Sequence, residues 1–372
     1  MRKLSTARIF VFCILCTVSI QVTGQPGRRI IVSPEIRSDK TIIFRYLAPD
    51  ADKVELSAQF LKERQLMVKD TSGLWSFIVG PVVPDIYPYS FYVDGIQVND
   101  PNNTLIFPNE RFKSSLVDIP GETPLIHSMQ DVPHGKVIYR YYKSKSLDLI
   151  RPLVIYTPPG YNQNLKKKYP VLYIIHGGGE DERGWATQGR TDIILDNLLA
   201  EGKAIPMLVV MLDSNVLLPG SKNYAYDLFT KELLENLIPF VEKKYRVLND
   251  SKNRSLAGLS MGGLQTLHAG LYHTDIFGYL GVLSSGWFAN QQDAINGYST
   301  FVEKNSSTIN KNLKLFWIAI GGKEDIAYQN CQNMLKIFDK TGIKYTYYER
   351  PGGHTWPVWR DNLHVLAPLL FR

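Results

Sequence analysis

One serine of the 372-residue chain lies in the pattern of a catalytic nucleophile. In the run 258–263, GLSMGG, one glycine stands two residues before Ser260 and another two residues after it. Such glycines let a strand and the following helix approach closely, while the serine takes a strained turn that exposes its hydroxyl. A short apolar run before the motif and an apparent helix at 263–272 supply that strand and helix. The pattern predicts a nucleophile for acyl transfer.

A serine hydroxyl is a poor nucleophile at neutral pH, so a base must take its proton, and histidine has a suitable pKa. The chain has seven histidines. His354 is the candidate because it lies in a glycine-containing loop, 350–356, between a strand pattern at 345–348 and the last apparent helix. The others lie in the predicted linker, in or next to helices, or at the end of a strand, as His176 does.

The base needs a carboxylate that holds its tautomer and stabilises the imidazolium. In hydrolases with this serine motif the acid lies between the serine and the histidine in chain order. Asp325 has that order and follows a strand pattern at 315–320, so it is the predicted acid. Its neighbour Glu324 meets the same criteria, and the residues alone separate the two only weakly.

The tetrahedral intermediate of acyl transfer carries an oxyanion, which needs N–H donors. The glycine triplet 177–179 follows the strand pattern that ends at Ile175 and can present its backbone there. Gly178 is the predicted first donor, with its neighbour Gly177 as the alternative. The amide of Met261, next after the nucleophile, is the predicted second donor.

The segments that must position these residues alternate between strand and helix patterns. Short apolar runs typical of buried strands lie at 152–157, 169–175, 207–212, 255–257, 279–283 and 315–320. Apolar residues recur with helical spacing between them, as at 192–201 and 231–244. This alternation predicts a mostly parallel sheet covered by helices on both faces, an α/β-hydrolase fold over residues 135–372.

The amino-terminal part of the chain has a different pattern. Runs at 41–46, 53–57, 73–79 and 87–93 alternate apolar and polar residues, with turn residues between them and no helical stretch of note. They predict an all-β, immunoglobulin-like sandwich domain over residues 25–120. Prolines accumulate where the strand patterns end, and they indicate a linker at 121–134.

Residues 1–24 have the pattern of a signal peptide, with basic residues first, then an apolar run at 9–20 and small or short residues before Gln25. We therefore expect cleavage near Gly24 and a secreted or periplasmic protein. Neither this run nor any later stretch reaches the roughly 20 apolar residues that span a bilayer. Without the leader the formal charge falls from +7 to +4, which is too weak to indicate a nucleic-acid partner.

Three further segments, 189–206, 237–246 and 352–359, are similar to stretches of bacterial feruloyl esterases. With the serine motif, they make residues 135–372 resemble carbohydrate esterase family one, the feruloyl and acetyl xylan esterases among the α/β-hydrolases. In that family the triad acid is the aspartate of the loop after the penultimate core strand, which implies Asp325 and not Glu324. Residues 28–117 resemble the early-set sandwich that precedes such esterases.

The resemblance implies a serine esterase that hydrolyses acyl groups, with ferulate as the first candidate, from plant cell-wall xylan. It implies an acyl-enzyme on Ser260 and neither a metal ion nor an organic cofactor. Trp185, Trp287 and Trp356 lie near the expected mouth of the site, where a ring can stack on a phenolic acid or a sugar, although such residues more often pack in a core or at a rim. The alternatives are an acetyl xylan esterase, an acyltransferase, and a non-catalytic glycan-binding protein on the same fold.

Overall fold

The computed structural model of the chain describes residues 30–107, 109, 113–217, 225–287 and 292–372. The predicted signal peptide, 1–24, lies outside these residues.

The amino-terminal part forms two antiparallel sheets. Its strands are β1 (Glu35–Ile36), β2 (Ile42–Leu47), β3 (Val54–Ala58), β4 (Gln65–Leu66), β5 (Val68–Lys69), β6 (Leu74–Val79), β7 (Ile86–Val93), β8 (Ile96–Val98) and β9 (Ser115–Asp118). One sheet has the order β1-β2-β6-β5 and the other β4-β3-β7-β8, with β9 paired to β7. Phe44 of β2 and Phe91 of β7 belong to one buried cluster between the sheets. Because side chains alternate along a strand, each sheet turns its apolar residues towards the other.

A third, larger sheet is formed by the strands that follow residue 135. Its strands are β10 (Lys136–Ser144), β11 (Leu149–Thr157), β12 (Val171–Ile175), β13 (Leu208–Leu212), β14 (Arg254–Leu259), β15 (Tyr279–Leu283), β16 (Leu315–Ile320) and β17 (Thr346–Glu349). Their order is β10-β11-β13-β12-β14-β15-β16-β17. The strands from β12 to β17 run parallel, whereas β10 and β11 add an antiparallel edge.

Helices connect these strands. They are α1 (Gly184–Thr187), α2 (Thr191–Ala200), α3 (Tyr226–Glu232), α4 (Ile238–Lys244), α5 (Met261–Tyr272), α6 (Gln292–Asn312), α7 (Tyr328–Thr341) and α8 (Trp356–Leu366). A π-helical turn, Leu233–Leu237, joins α3 to α4, and short 3-10 helices lie at Ser251–Asn253 and Ala367–Leu369. Within the described ranges, no helix is long and apolar enough to cross a membrane.

Both faces of the large sheet are covered by helices. In β12, Tyr173 packs in the hydrophobic cluster that includes α3, α5 and α7, while its neighbour Leu172 packs in the cluster that includes α2 and α8. A strand buried on both faces has apolar residues at successive positions rather than at alternate ones. This is why the central strands appear in the sequence as continuous apolar runs.

The predicted fold, an α/β-hydrolase preceded by an all-β part, is confirmed. The strand patterns at 279–283 and 315–320 coincide with β15 and β16. β10, Lys136–Ser144, pairs with β11 at the edge of the sheet and was not predicted from the sequence. Its sequence, KVIYRYYKS, is rich in residues that favour strands, but charged residues interrupt them and most positions are exposed or half-buried, unlike the continuous apolar runs of the central strands.

A buried ion pair joins the two parts of the molecule. Arg360 of α8 is only 1% exposed. Its guanidinium donates to the carboxylate of Asp85, just before β7, and to the Ile86 carbonyl oxygen at 3.1 Å. It also donates to the Gln188 carbonyl oxygen at 2.7 Å. The cation is therefore bonded to both parts at once, which fixes the sandwich against α8.

The predicted linker, 121–134, lies along α2. The side-chain amide of Asn197 donates to the carbonyl oxygens of Ile126 at 3.2 Å and Ser128 at 3.0 Å. The ring of His134 lies 2.9 Å from the carboxylate of Asp196. The segment is thus anchored to the hydrolase part at several residues. The domain boundaries at 25–120, 121–134 and 135–372 stay a prediction.

We expect Asp85→Asn to lower the free energy of unfolding by about 3 kcal/mol or more, because it leaves the buried Arg360 cation without its carboxylate. The matched control is Glu55→Gln, which removes the partner of Lys53, a side chain that is 55% exposed. That change should cost less than about 1 kcal/mol. Denaturant unfolding of the full chain measures both, and equal losses for the two variants would contradict the assignment.

Candidate active site

Ser260 lies on a tight turn between β14 and α5. Its backbone has φ 52° and ψ −116°, a left-handed conformation that side-chain-bearing residues rarely adopt. A Cβ atom on Gly258 would lie 2.3 Å from the Gly262 carbonyl oxygen, and one on Gly262 would lie 2.5 Å from the His176 carbonyl oxygen. Both glycines are therefore required by the close approach of strand, helix and loop. The turn that the sequence predicted is present.

His354 lies between the other two predicted residues. It occupies the loop between β17 and α8, and its Nε2 is 2.8 Å from the Ser260 Oγ. Its Nδ1 is 2.8 Å from the Asp325 Oδ1. Since an ionised carboxylate only accepts hydrogen bonds, Nδ1 carries the proton and Nε2 is the acceptor for the serine hydroxyl. This is the arrangement that a general base for Ser260 needs.

Asp325 is buried, with only 2% of its surface exposed, and its carboxyl is ionised because four neighbouring groups form hydrogen bonds to it. Burial alone would raise the pKa of this carboxyl, but hydrogen bonds from His354, from the Ser284 hydroxyl and from the Ala327 amide hold the pKa below its ordinary value. The Ser284 Oγ lies 2.6 Å from Oδ2, and the Gly321 amide adds a longer contact at 3.3 Å. The carboxylate therefore stays charged beside the histidine.

Glu324, the alternative acid, points elsewhere. Its carboxylate accepts the N–H of Gly352 at 3.2 Å. The geometry thus brings Asp325, and not Glu324, to His354, although the two acids are adjacent in the chain.

The glycine loop after β12 lies beside the nucleophile. A Cβ atom on Gly177 would be 3.6 Å from the Ser260 Cβ. The N–H of Gly177 donates to the Glu180 carboxylate at 3.1 Å, so it is not available to a substrate. Gly178 is partly exposed, and its N–H has no acceptor among the described residues. The N–H of Met261 is at the first position of α5, where no intrahelical acceptor exists. Both predicted oxyanion donors are therefore free.

Ser260 and His354 line two cavities. The larger, of about 210 Å³, is walled on the hydrolase side by the glycine loop, Trp356 and Trp359. The smaller, of about 100 Å³, is lined by Ser284, Ser285, Gly286, Ile326, Ala327 and Asn330 as well. The Ser260 hydroxyl and the His354 ring thus border a cavity on each of two sides. An ester needs two such spaces, one for its acyl group and one for its alcohol.

The amino-terminal part supplies another wall of the larger cavity. Gln59, Pro88, Phe107 and Asn109 line it. Phe107 also packs against the hydrophobic cluster of α2 and α8. This wall is not predictable from the local patterns of the sequence, because they do not show which residues of the two parts of the chain meet.

The three tryptophans that were proposed as substrate contacts are all buried. Trp185 is 1% exposed and donates its indole N–H to the Ile175 carbonyl oxygen at 3.0 Å. Trp287 is 4% exposed and stacks on Tyr298 with ring centroids 5.1 Å apart. Trp356 is 3% exposed, but it lines the larger cavity. Of the three, only Trp356 is placed where a ligand in that cavity can reach it.

The sequence analysis missed two serines that follow β15. Ser284 bonds Asp325, and the Ser285 hydroxyl donates to the Ser260 carbonyl oxygen at 2.8 Å. The signal was a pair of small polar residues at the carboxyl end of a buried strand, next to the strand that carries the nucleophile. In the described part of the chain, no group of three His, Cys, Asp or Glu residues is placed to hold a metal ion.

The fold and the hydrogen-bonded Ser260, His354 and Asp325 define an α/β-hydrolase. Residues 144–369 match the model of the family described as "Putative esterase", and the chain belongs to this family. The expected enzyme class, a carboxylic ester hydrolase, is confirmed at that level.

Two relatives with related activities in their names are similar to the chain. An endo-1,4-beta-xylanase/feruloyl esterase of Xylanibacter ruminicola is 30% identical over 359 residues, which is 94% of this chain. The chain spans only 47% of that protein's length. The feruloyl esterase module of Clostridium thermocellum, solved as a mutant complexed with sinapinate, is 25% identical with a TM-score of 0.56, and the match covers 66% of this chain and 91% of that one.

A third similarity extends into the amino-terminal part. The enterobactin esterase of Shigella flexneri has a TM-score of 0.64 and 17% identity, covering 88% of this chain and 92% of its own. At this identity the likeness shows the fold alone. It extends well beyond the family-matched residues.

We expect Asp325→Asn to lower kcat by about 10⁴-fold, because an amide can stabilise the wrong histidine tautomer and cannot balance the imidazolium charge. The adjacent change Glu324→Gln is the matched control and should cost less than about 10-fold, since the Glu324 carboxylate bonds the Gly352 amide and no other group of the described residues. Steady-state kinetics on a soluble ester measures both variants. The reverse ranking would move the acid to Glu324.

Proposed function

We propose that the chain is an exported serine esterase that removes acyl groups, ferulate foremost, from plant cell-wall xylan. The observation that carries the proposal is the continuous hydrogen-bonded series from the Ser260 hydroxyl through His354 to the buried Asp325, beside a glycine loop with a free N–H. Nucleophile, base, acid and oxyanion donors are the complete set that ester hydrolysis through an acyl-enzyme needs.

The reaction follows from these contacts. The Ser260 Oγ attacks the ester carbonyl carbon while His354 Nε2 takes the hydroxyl proton. The amides of Gly178 and Met261 stabilise the oxyanion, and Asp325 stabilises the imidazolium. The bond to the sugar oxygen then breaks as His354 returns the proton to that oxygen. Water attacks the acyl-enzyme, giving its proton to His354, and Ser260 leaves with that proton restored.

The larger cavity supports a compact aromatic acyl group. Its volume is about 210 Å³. Pockets for drug-sized ligands measure about 300–1,000 Å³, so this one suits a single acyl group and leaves the sugar chain outside. Phe107, Trp356 and Trp359 contribute aromatic surface to its lining. The names of the similar proteins, a xylanase/feruloyl esterase and a feruloyl esterase module, support ferulate and xylan.

An acetyl xylan esterase is the second candidate. The cavity on the Ser284 side of the nucleophile measures about 100 Å³ and is lined mainly by small residues, which suits an acetyl group better than a phenolic ring. The fold and the catalytic residues would be the same.

Export is part of the proposal. The basic, apolar and small-residue pattern of residues 1–24 supports a signal peptide that is cleaved near Gly24. A xylan esterase must meet its polymer outside the cytoplasm, which agrees with a secreted or periplasmic protein.

The first experiment compares initial rates on methyl ferulate, acetylated xylan and a short-chain acetyl ester. We expect the highest kcat/KM on methyl ferulate. Ser260→Ala should lower kcat by about 10³-fold or more, because it removes the nucleophile. A preference for the acetyl substrates would favour the second candidate. Absence of turnover on all three would favour an acyltransferase or a glycan-binding protein.

The amino-terminal wall gives a separate prediction. Phe107→Ala should raise KM for methyl ferulate by about 10-fold, equivalent to about 1.4 kcal/mol, because the aromatic ring loses a contact in the cavity. Tyr141→Ala is the control, since Tyr141 lies on β10, is 69% exposed and does not line that cavity. An unchanged KM for Phe107→Ala would show that the sandwich does not contact the acyl group.

A further inference from the structure

A buried carboxylate outside the Ser260, His354 and Asp325 series lies at the larger cavity. Glu180 is 3% exposed and lines that cavity. Its Oε2 accepts the Gly177 N–H at 3.1 Å, and its Oε1 accepts the Trp356 indole N–H at 2.9 Å. A buried charged group is costly unless its hydrogen bonds are satisfied, and here each oxygen has a donor.

The first of these contacts decides which glycine faces the substrate. The N–H of Gly177 is held by Glu180, and the Gly177 carbonyl oxygen accepts from the His176 Nδ1 at 2.8 Å and from the Glu180 amide at 3.2 Å. With both polar groups of Gly177 engaged, its two flanking peptide planes are fixed. The next amide, that of Gly178, is the one left for an oxyanion.

The second contact ties this loop to the loop of the base. Trp356 begins α8 two residues after His354, so the Glu180 side chain bridges the oxyanion loop and the histidine loop. The backbone of Glu180 adds two more anchors. The Asn215 side chain donates to its carbonyl oxygen at 2.8 Å, and Asn109 of the amino-terminal part forms an antiparallel β-bridge with it. Four segments of the chain therefore meet at this residue.

We propose that Glu180 is a positioning residue that locks the glycine loop so that the Gly178 N–H, and not that of Gly177, points at the oxyanion. The inference rests on the proposed function, because it assigns Glu180 a role in the ester hydrolysis at Ser260. A carboxylate is needed at this place because both of its oxygens accept N–H groups. The side-chain amide of a glutamine would instead point its NH₂ group, which is a donor, at one of these two N–H donors.

The test uses the full chain with Glu180→Gln, and Glu182→Gln as the matched control from the same loop. Wild-type turnover of methyl ferulate, and its loss in Ser260→Ala, are established first, so a failure of the proposed function is recognised separately. We expect Glu180→Gln to lower kcat by about 10–100-fold with KM within about 2-fold of wild type, since an oxyanion donor acts mainly in the transition state. Glu182→Gln should stay within about 2-fold for both constants.

Inhibitor binding separates positioning from a structural role. Phenylboronic acid forms a tetrahedral adduct with the Ser260 Oγ, whose proton passes to His354, and the adduct oxygen occupies the place of the oxyanion. Its affinity should fall in Glu180→Gln by the same factor as kcat, whereas the affinity for free ferulate, which makes no such adduct, should not change. Thermal unfolding, followed in parallel, gives the folded fraction against which both values are normalised.

Trp356→Phe keeps an aromatic ring but removes the indole N–H from the Glu180 carboxylate together with the second ring of the indole. It provides the same test if Glu180→Gln does not fold, with the affinity for free ferulate as the control for the lost ring contact in the cavity. Trp356→Phe should weaken phenylboronic acid binding by about 3–10-fold, which is less than the effect of losing a whole oxyanion donor.

An unchanged kcat in Glu180→Gln would overturn the proposal. So would a rise in KM with equal loss of ferulate affinity, which would make Glu180 a substrate contact, or unchanged phenylboronic acid binding in the folded variants.

Discussion

The close crossing of β14 and α5 at Ser260 is the constraint on which the site depends. Gly258 and Gly262 are packed so tightly against backbone that a Cβ atom on either would overlap an oxygen at 2.3 or 2.5 Å. This approach forces Ser260 into a positive φ, and its N–H then donates to the Leu283 carbonyl oxygen at 2.9 Å. The backbone strain is confined to this turn, and the pairing of β14 with the parallel strands β12 and β15 keeps the turn in its strained conformation. The nucleophile is thereby raised above the carboxyl edge of the sheet.

The residues of the large sheet that surround Ser260 come from that same edge. The glycine loop follows β12, Ser284 follows β15, Asp325 follows β16 and His354 follows β17. Parallel strands bring these loops together whatever their separation in the chain. The buried hydrogen bonds to Asp325 then select one orientation of the histidine ring. The geometry of the sheet and the hydrogen bonds to one buried charge together place the Ser260 hydroxyl, the His354 ring and the Asp325 carboxylate in one hydrogen-bonded series.

The amino-terminal part contributes to this site as well as preceding it. The buried Arg360 bonds Asp85 and the backbone of both parts, and Gln59, Pro88 and Phe107 reach the cavity beside Ser260. Asn109 pairs with the backbone of Glu180 in the oxyanion loop. Without the amino-terminal part, the α/β part of the chain would therefore lack one wall of the larger cavity and one support of its glycine loop.

Much of this could be predicted from the sequence, because local chemistry determines it. The glycines around Ser260, the apolar runs of strands buried on both faces, and the order of serine, acid and histidine are all local patterns or simple orders along the chain. They were sufficient for the fold class and for selecting Ser260 and His354, and they narrowed the acid to two neighbouring residues. The edge strand β10 was missed because charged residues interrupt its valine, isoleucine and tyrosines, so it lacks the continuous apolar run of a strand buried on both faces.

The tertiary structure decided what the residues themselves left open, namely which of two neighbouring acids meets the histidine and which glycine amide stays free. Asp325 and Glu324 are adjacent, but one side chain points into the core towards His354 and Ser284 while the other bonds a loop amide. Gly177 and Gly178 are neighbours of the same residue type, but Glu180 occupies the N–H of Gly177 and leaves that of Gly178 free. The burial of Trp185 and Trp287 and the Phe107 wall depend on contacts between segments far apart in the chain. The sequence determined the chemical groups, and packing determined their directions, because a side chain's direction depends on neighbours that no local pattern contains.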